Sequence, residues 1–486
     1  MIASLVILAL APILALALGL KARSGHAMGL EQWTVGGRGF GAILVFLLLA
    51  GEIYTTFTFL GASGAAYGQG APAYYILAYG SLAYILGYFI LPPIWAYAKQ
   101  HDLVSQPDFF AHKYHSPALG LLVCLVDIVA LIPYLVLQLT GLGIIVSAAS
   151  YGAIPNTVAV WIGAAVVTSY VVVSGVRGSA WTAVVKDFLI LAVVLFLGLY
   201  LPLHLYGGIG AMFESIAQAR PGFLVFRATG QSVWWFLSTV LLTALGFFMW
   251  PQAFAACYTA RDARVFRKNA IMLPVYQLIL LFVYFVGFAA VLKVPGLKGS
   301  ETNLALFKLV TQELPPWVVG IVGVAGILTA LVPGSLITMT AATLLARNLY
   351  GTARPQAGDD EIVALAKWLV IAVMLVVVYF TLAGSSTIVT LLLVGYSFVT
   401  QMFPALIASL LPRSRATKEG AFAGVLVGVA VAAWLTFTHA TLGTLLPFLP
   451  QWIKDLNVGI VALVLNVVVL VVVSAVTGRR LAVPAE

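Results

Sequence analysis

The chain has 486 residues, 62% of them hydrophobic and only 8% charged, with a net charge of +9 and a mean hydropathy of +1.07. That balance excludes a soluble protein of this length. The positive excess is scattered over short gaps without a basic stripe or reader motif, which excludes a nucleic-acid partner.

In chain order the apolar segments are expected at 1–20, 41–67, 73–97, 117–150, 154–174, 182–205, 232–257, 270–292, 315–350, 363–383, 386–411, 420–440 and 456–477. Each is long enough to cross a hydrocarbon layer as a helix. An unpaired backbone is excluded from lipid, so an all-α integral membrane protein of about 13 transmembrane helices is expected. The first segment, Met1 to Leu20, has no basic residue before it and is followed by Lys21 and Arg23, the reverse of a signal peptide. It is expected to be a retained helix. Membrane lipid is therefore the expected surround, and basic loops are expected to touch anionic headgroups.

Lys and Arg fall unevenly between these segments. One set of alternate gaps holds 19 of the 25, from Lys21, Arg23 and Arg38 through Arg177 and Lys186 to Arg479 and Arg480. The other set holds Arg220, Arg227, Lys293, Lys298, Lys308 and Lys454. Basic loops stay in the cytoplasm, so the N-terminus is expected outside and the C-terminus inside. Cys124 and Cys257 both lie in or at the end of apolar segments, and no structural disulfide is expected.

Two segments are broken. In 41–67, Gly51-Glu52 is followed by Thr55, Thr56 and Thr58, then Gly61 and Gly64. In 232–257, Gly246 precedes Trp250-Pro251-Gln252. Proline removes a helical donor and clashes with the preceding turn. Counting one extra helix, ten core helices and two more, the breaks fall on the first and sixth of the ten. That spacing suits a five-plus-five inverted repeat: 1–40 as an extra N-terminal helix and loop, 41–231 and 232–411 as the two repeats, and 412–486 as two C-terminal helices and a tail. Transporters built this way bind solute and ion at the broken helices.

The breaks carry the candidate substrate residues. No Lys or Arg lies at mid-depth in the expected spans, so a carboxylate would be held by backbone amides at half-helix N-termini. Thr55, Thr56 and Thr58 would add hydroxyls. Tyr54, Phe57, Phe248 and Trp250 would enclose a short carbon tail, with Gln252 and Tyr396 as further contacts. The ordinary alternative for each aromatic is plain packing.

Acidic residues within the spans are few: Glu52, Asp127 and Asp187. Charge there is costly, so each is a candidate for ion coupling. Lys186 precedes Asp187, but neighbours on a helix point apart, so a direct pair is not assured. No Walker loop, no H-E-x-x-H and no G-x-S-x-G at a strand-turn-helix is present, so neither an ATP-driven pump nor a hydrolase is indicated, and no enzyme activity or cofactor is expected. His112 and His115 are a poor basis for a metal site, and no metal is expected.

Several stretches resemble the sodium:solute symporter family. Trp33-Thr34-Val35-Gly36-Gly37-Arg38 is similar to its aromatic-x-x-G-G-R run before the first core helix. Phe59-Leu60-Gly61-Ala62-Ser63-Gly64 resembles F-[IL]-G-x-[SP]-G. Gln106-Pro107-Asp108-Phe109-Phe110 with Lys113-Tyr114 resembles T-P-E-F-L…R-[FY]. Gly175 through Trp181-Thr182 to Asp187, Ala260-Arg261-Asp262 with Arg267-Lys268, and Asn348-Leu349-Tyr350 resemble three later motifs. The ordered set covers about residues 33 to 410. It implies the leucine-transporter-like fold and alternating access in a bacterial cytoplasmic membrane.

Within that family, Gly51 to Phe59 and Trp250-Pro251-Gln252 look most like bacterial monocarboxylate permeases, which implies lactate, pyruvate or propionate as substrate. Sodium-coupled members place two adjacent hydroxyl residues 17 and 18 positions before the aromatic that ends the eighth core helix. Counted from Tyr350, those positions hold Pro333 and Val332, neither with a side-chain oxygen. The usual sodium site is therefore expected to be degraded and a proton to be the coupling ion. Restoring hydroxyls at both positions should create sodium dependence. A shift of register would present Thr329 or Ser335 instead, and Pro333 frees a carbonyl one turn earlier. The alternatives are a sodium-coupled symporter of another small solute, such as an amino acid or vitamin acid, and a membrane solute sensor.

Overall fold

The computed structural model describes residues 1–23, 36–51 and 54–480, with the backbone alone at 22–23, 174–177 and 479–480. Glu52 and the Trp33-Thr34-Val35 part of the first motif lie outside the described residues. The described chain is all-helical, with one isolated parallel bridge between Phe40 and Ala260.

α1 (Ile2–Arg23) is followed by α2 (Ala42–Gly51), a single π-turn over Phe57–Gly61 and α3 (Ala62–Gln69). Next come α4 (Tyr75–Gln100), the short α5 (Gln106–Lys113), α6 (Pro117–Ala149) and α7 (Asn156–Tyr206). α8 (Ile209–Ala219) lies in a loop before α9 (Val233–Gly246) and α10 (Pro251–Tyr258). α11 (Arg264–Gln277) and α12 (Leu280–Lys293) together make one span. α13 (Ala305–Glu313) and α14 (Pro316–Thr343) follow, then α15 (Asp359–Ala383), α16 (Ile388–Val399) and α17 (Phe403–Leu410). α18 (Lys418–Phe437) and α19 (Val458–Arg480) close the chain.

Eleven helices among the described residues are long and apolar enough to cross a membrane, or twelve with the bent pair α9–α10. The expected count of 13 includes the first broken segment. Its halves are short because the helix is interrupted, and α2 has only ten residues. The polar gaps hold three short helices, α5, α8 and α13, that the hydropathy reading left as loops. α7 differs from the expected two segments because its backbone stays helical across 174–181. It still contains two spans, Asn156–Val173 and Gly178–Tyr206. The Tyr170 hydroxyl meets Thr182 Oγ1 at 2.7 Å. In a straight helix twelve residues rise about 18 Å, so the chain must bend sharply between the two spans.

Packing follows side-chain size. In lipid no hydrophobic force drives one helix against another, so small residues that let backbones approach set the contacts. α18 presents Gly420, Gly424 and Gly428 to Ser474, Leu470 and Asn466 of α19, where a methyl at any of the three would collide. α14 runs through the middle, buried along almost its whole length against α1, α6, α7 and α15. It stays continuous through Pro333.

The motifs read separately in the sequence meet at one end of the bundle. Phe40 N–H donates to the Thr259 carbonyl and Arg261 N–H donates to the Phe40 carbonyl, each at 3.0 Å. Arg38 Nη2 donates to the Leu103 carbonyl at 2.8 Å. The Asp108 carboxylate accepts from Asn348 Nδ2 at 2.8 Å and from Arg347 Nε at 3.2 Å. These contacts clamp α5 to the end of the eighth core helix.

Candidate binding and coupling site

Both expected breaks are present. At the second, Trp250 is extended (φ −68°, ψ 130°), Pro251 starts α10, and the axis bends by 48°. The Thr400 hydroxyl, just past the end of α16, donates to the Leu242 carbonyl at 3.1 Å, beside that bend. At the first break, Thr55 Oγ1 accepts from Phe57 N–H at 3.1 Å and Thr58 Oγ1 accepts from Thr55 N–H at 3.0 Å. This pairing resembles a capping box shortened by one residue, in which hydroxyls satisfy amides left free at a break. Thr55 and Thr58 therefore organise the break itself.

Thr56 turns the other way. Its hydroxyl donates to Gln138 Oε1 at 2.6 Å. Gln138, on α6, is buried and its Nε2 has no hydrogen-bond partner among the described residues. On α6, Asp127, Tyr134 and Gln138 are separated by seven and four residues, so they share one helical face. That stripe touches both breaks: Gln138 meets Thr56, and the Tyr134 ring lies 4.7 Å from that of Trp250. Trp250 also meets Tyr396 at 5.4 Å, and Tyr396 meets Tyr79 at 5.7 Å. Tilted and edge-on rings at these separations make a continuous aromatic wall.

Of the expected substrate residues, the structure brings Trp250 and Tyr396 together and adds Tyr134 and Tyr79. Gln252 is buried at the start of α10 beside them. Phe57 is buried at the start of the π-turn. Phe248 instead faces α4, against Gly87 and Tyr84. Tyr54 faces α11: its hydroxyl donates to the Tyr276 carbonyl at 3.2 Å, and the two rings cross at 4.9 Å. Gln138 carried a signal in the sequence, as a lone glutamine in a 33-residue apolar helix. Tyr134 had only its neighbour Pro133 to mark it, and Tyr79 had nothing.

The acidic residues fall in different surroundings. Asp127 is fully buried and neither carboxylate oxygen has a partner among the described residues. Asp187 is 5% exposed and forms an ion pair at 2.9 Å with Lys186, which is 0% exposed. The direct pair that helical geometry left unassured is thus present. Lys186 Nζ donates to the Tyr54 carbonyl at 3.3 Å and lies 3.6 Å from where a methyl on Gly51 would sit. The sequence reading counted Lys186 among loop charges and found no cation at mid-depth. Lys186 already fell within the expected span 182–205; the structure places it in the span Gly178–Tyr206 and turns its ammonium to the first break.

Val332 packs with Leu47 of α2 and Ala183 of α7 in a small apolar cluster. Pro333 is buried beside it. The two hydroxyls that a register shift would present are both engaged. Thr329 Oγ1 donates to the Gly326 carbonyl at 2.6 Å, and Ser335 Oγ donates to the Val332 carbonyl at 2.7 Å and meets Ser179 Oγ at 2.9 Å. No group of three or more His, Cys, Asp or Glu residues that could hold a metal occurs among the described residues.

Comparison with known proteins places this arrangement. A symporter of Bacillus subtilis (strain 168), YhjB, whose function is uncharacterised, is 61% identical over 98% of each chain. The monocarboxylate transport permease protein of Rhizobium johnstonii is 28% identical, covering 92% of this chain and 90% of that one. The solved structure of a Na+-coupled sialic acid symporter superposes with a TM-score of 0.79 at 15% identity, covering 100% of this chain and 99% of that one. That likeness shows the leucine-transporter-like fold. The family model for sodium:solute symporters matches residues 33–428, so the chain belongs to the sodium:solute symporter family and is a multi-pass membrane transporter, not an enzyme.

Proposed function

We propose that this protein is a proton-coupled symporter of small monocarboxylates such as lactate, pyruvate and propionate, working by alternating access in the bacterial cytoplasmic membrane. The observation that carries the coupling is the Val332–Leu47–Ala183 contact. Apolar carbon fills the place where sodium-coupled relatives present hydroxyls, and sodium requires oxygen ligands. The aromatic wall of Tyr134, Trp250, Tyr396 and Tyr79 supports a short-chain solute, and so does the likeness to a monocarboxylate permease. Moving one proton with each anion is electroneutral, so the membrane potential neither drives nor opposes uptake.

In this reading 41–231 and 232–411 are the two inverted repeats, with the N-terminus outside and the C-terminus inside. The substrate sits between the two breaks against the Tyr134–Gln138 face of α6. Glu52, Asp187 and Asp127 supply the proton route. Glu52→Gln should abolish pH-driven accumulation while leaving exchange of labelled for unlabelled substrate intact. Unchanged accumulation would remove Glu52 from the route.

A second reading is sodium-coupled transport of another small solute, such as an amino acid. The fold likeness to a Na+-coupled symporter favours it. It requires that Thr329 or Ser335 exchange its present carbonyl bond for an ion. Accumulation driven by a sodium gradient alone would select it.

A further inference from the structure

Along α7, Ser179, Ala183 and Lys186 follow at four and three residues, so they share one face. Ser179 meets Ser335 of α14, Ala183 meets Val332 of α14 and Leu47 of α2, and Lys186 reaches Gly51 at the end of α2 and the Tyr54 carbonyl three residues beyond it. The Lys186 ammonium therefore stands one turn beyond the hydroxyl-free positions, in the wedge between α2, α7 and α14. Among the described residues its nitrogen is within reach of a backbone carbonyl at a broken helix and of one carboxylate, Asp187. A bound monovalent cation in such a wedge would make the same two kinds of contact.

We propose that the Lys186 ammonium is a built-in cation that occupies the ion position at the first break, so that the protein joins α2 to α7 without sodium. This rests on the reading that the ion position has lost its two hydroxyls. It also changes the expectation for restoring them. With Lys186 in place, Val332→Ser and Pro333→Ser alone create no sodium site, because the position is already filled by positive charge.

Lys186 is a positioning residue in this scheme. It holds the half-helix that must move in alternating access, and Asp187 neutralises it. A lysine there because of packing alone would be replaceable by any side chain of similar length, and its removal would leave sodium irrelevant.

The test is thermal unfolding of the purified full chain in detergent, in sodium chloride against choline chloride at equal ionic strength. It uses no substrate, so it is independent of whether monocarboxylates are the solute. Wild type and V332S/P333S should show no sodium-specific shift. The triple variant K186A/V332S/P333S should gain an upward shift of about 2 °C or more, since a ligand that binds only the folded state raises Tm. A sodium shift in wild type, an equal shift in V332S/P333S, or none in a folded triple variant overturns the proposal.

Should the triple variant fail to fold, the single variants decide. K186M should lower substrate exchange in proteoliposomes by about tenfold or more, because it leaves Asp187 buried without its counter-charge. K186R should keep most of the exchange. Exchange in K186M equal to wild type overturns the proposal.

Discussion

Replacing Asp187 by Asn removes the counter-charge of a lysine with no exposed surface. At 2.9 Å and an effective dielectric of 20, the pair's attraction is about 6 kcal/mol. Part of that is offset by the cost of taking both groups out of water. What remains when one partner is lost is an uncompensated buried charge, which costs about 3–5 kcal/mol. Removing both charges together, in K186M/D187N, leaves no unpaired ion and should cost under about 2 kcal/mol. The assay is equilibrium unfolding in mixed micelles for wild type, both single variants and the double variant. A D187N cost under about 1 kcal/mol, or a double-variant cost equal to the sum of the singles, would refute the claim that the two side chains act as one buried unit.

Other substitutions test the rest of the site. Thr56→Val keeps shape but leaves Gln138 Oε1 without its 2.6 Å donor; it should cost about 1–3 kcal/mol and slow exchange, read by the same unfolding and exchange assays. Trp250→Ala opens the space between Tyr134 and Tyr396 and should cost about 3–5 kcal/mol. Longer monocarboxylates should then compete for uptake where they do not in wild type, and unchanged selectivity would remove Trp250 from the pocket. Asp108→Ala frees Arg347 and Asn348 and should cost about 1–3 kcal/mol, with a lower uptake rate at saturating substrate.

Much of this architecture was legible because the membrane imposes strong rules. Helix positions follow from apolar length, and the second break follows from Trp250-Pro251 interrupting an apolar run. The first break was marked by the cluster of glycine and threonine, and the Thr55 and Thr58 hydroxyls bond amides within it. The aromatic wall was half visible. Trp250 and Tyr396 stood near the breaks in the sequence, but Tyr79 comes from α4, and only the packed bundle brings it to Tyr396.

Lys186 was misread for a physical reason. Lys186 lies only four residues inside the expected span 182–205, near its cytoplasmic end, so it is counted with Arg177 as a loop charge. In the fold the second span begins at Gly178, and Lys186 lies eight residues inside it, turned toward the first break. Only the relation of α7 to α2 and α14 reveals this, and that relation is tertiary. The same limit applies to the motif clamp: Asp108 and Asn348 resemble family motifs far apart in sequence, and only the fold brings them into hydrogen-bond contact.

The most direct test of the central claim is uptake of radiolabelled L-lactate into proteoliposomes, driven separately by an inward proton gradient and an inward sodium gradient. The account predicts accumulation with the proton gradient alone. Accumulation that requires sodium would contradict it, and would mean that an ion displaces the Lys186 ammonium from the break or binds elsewhere.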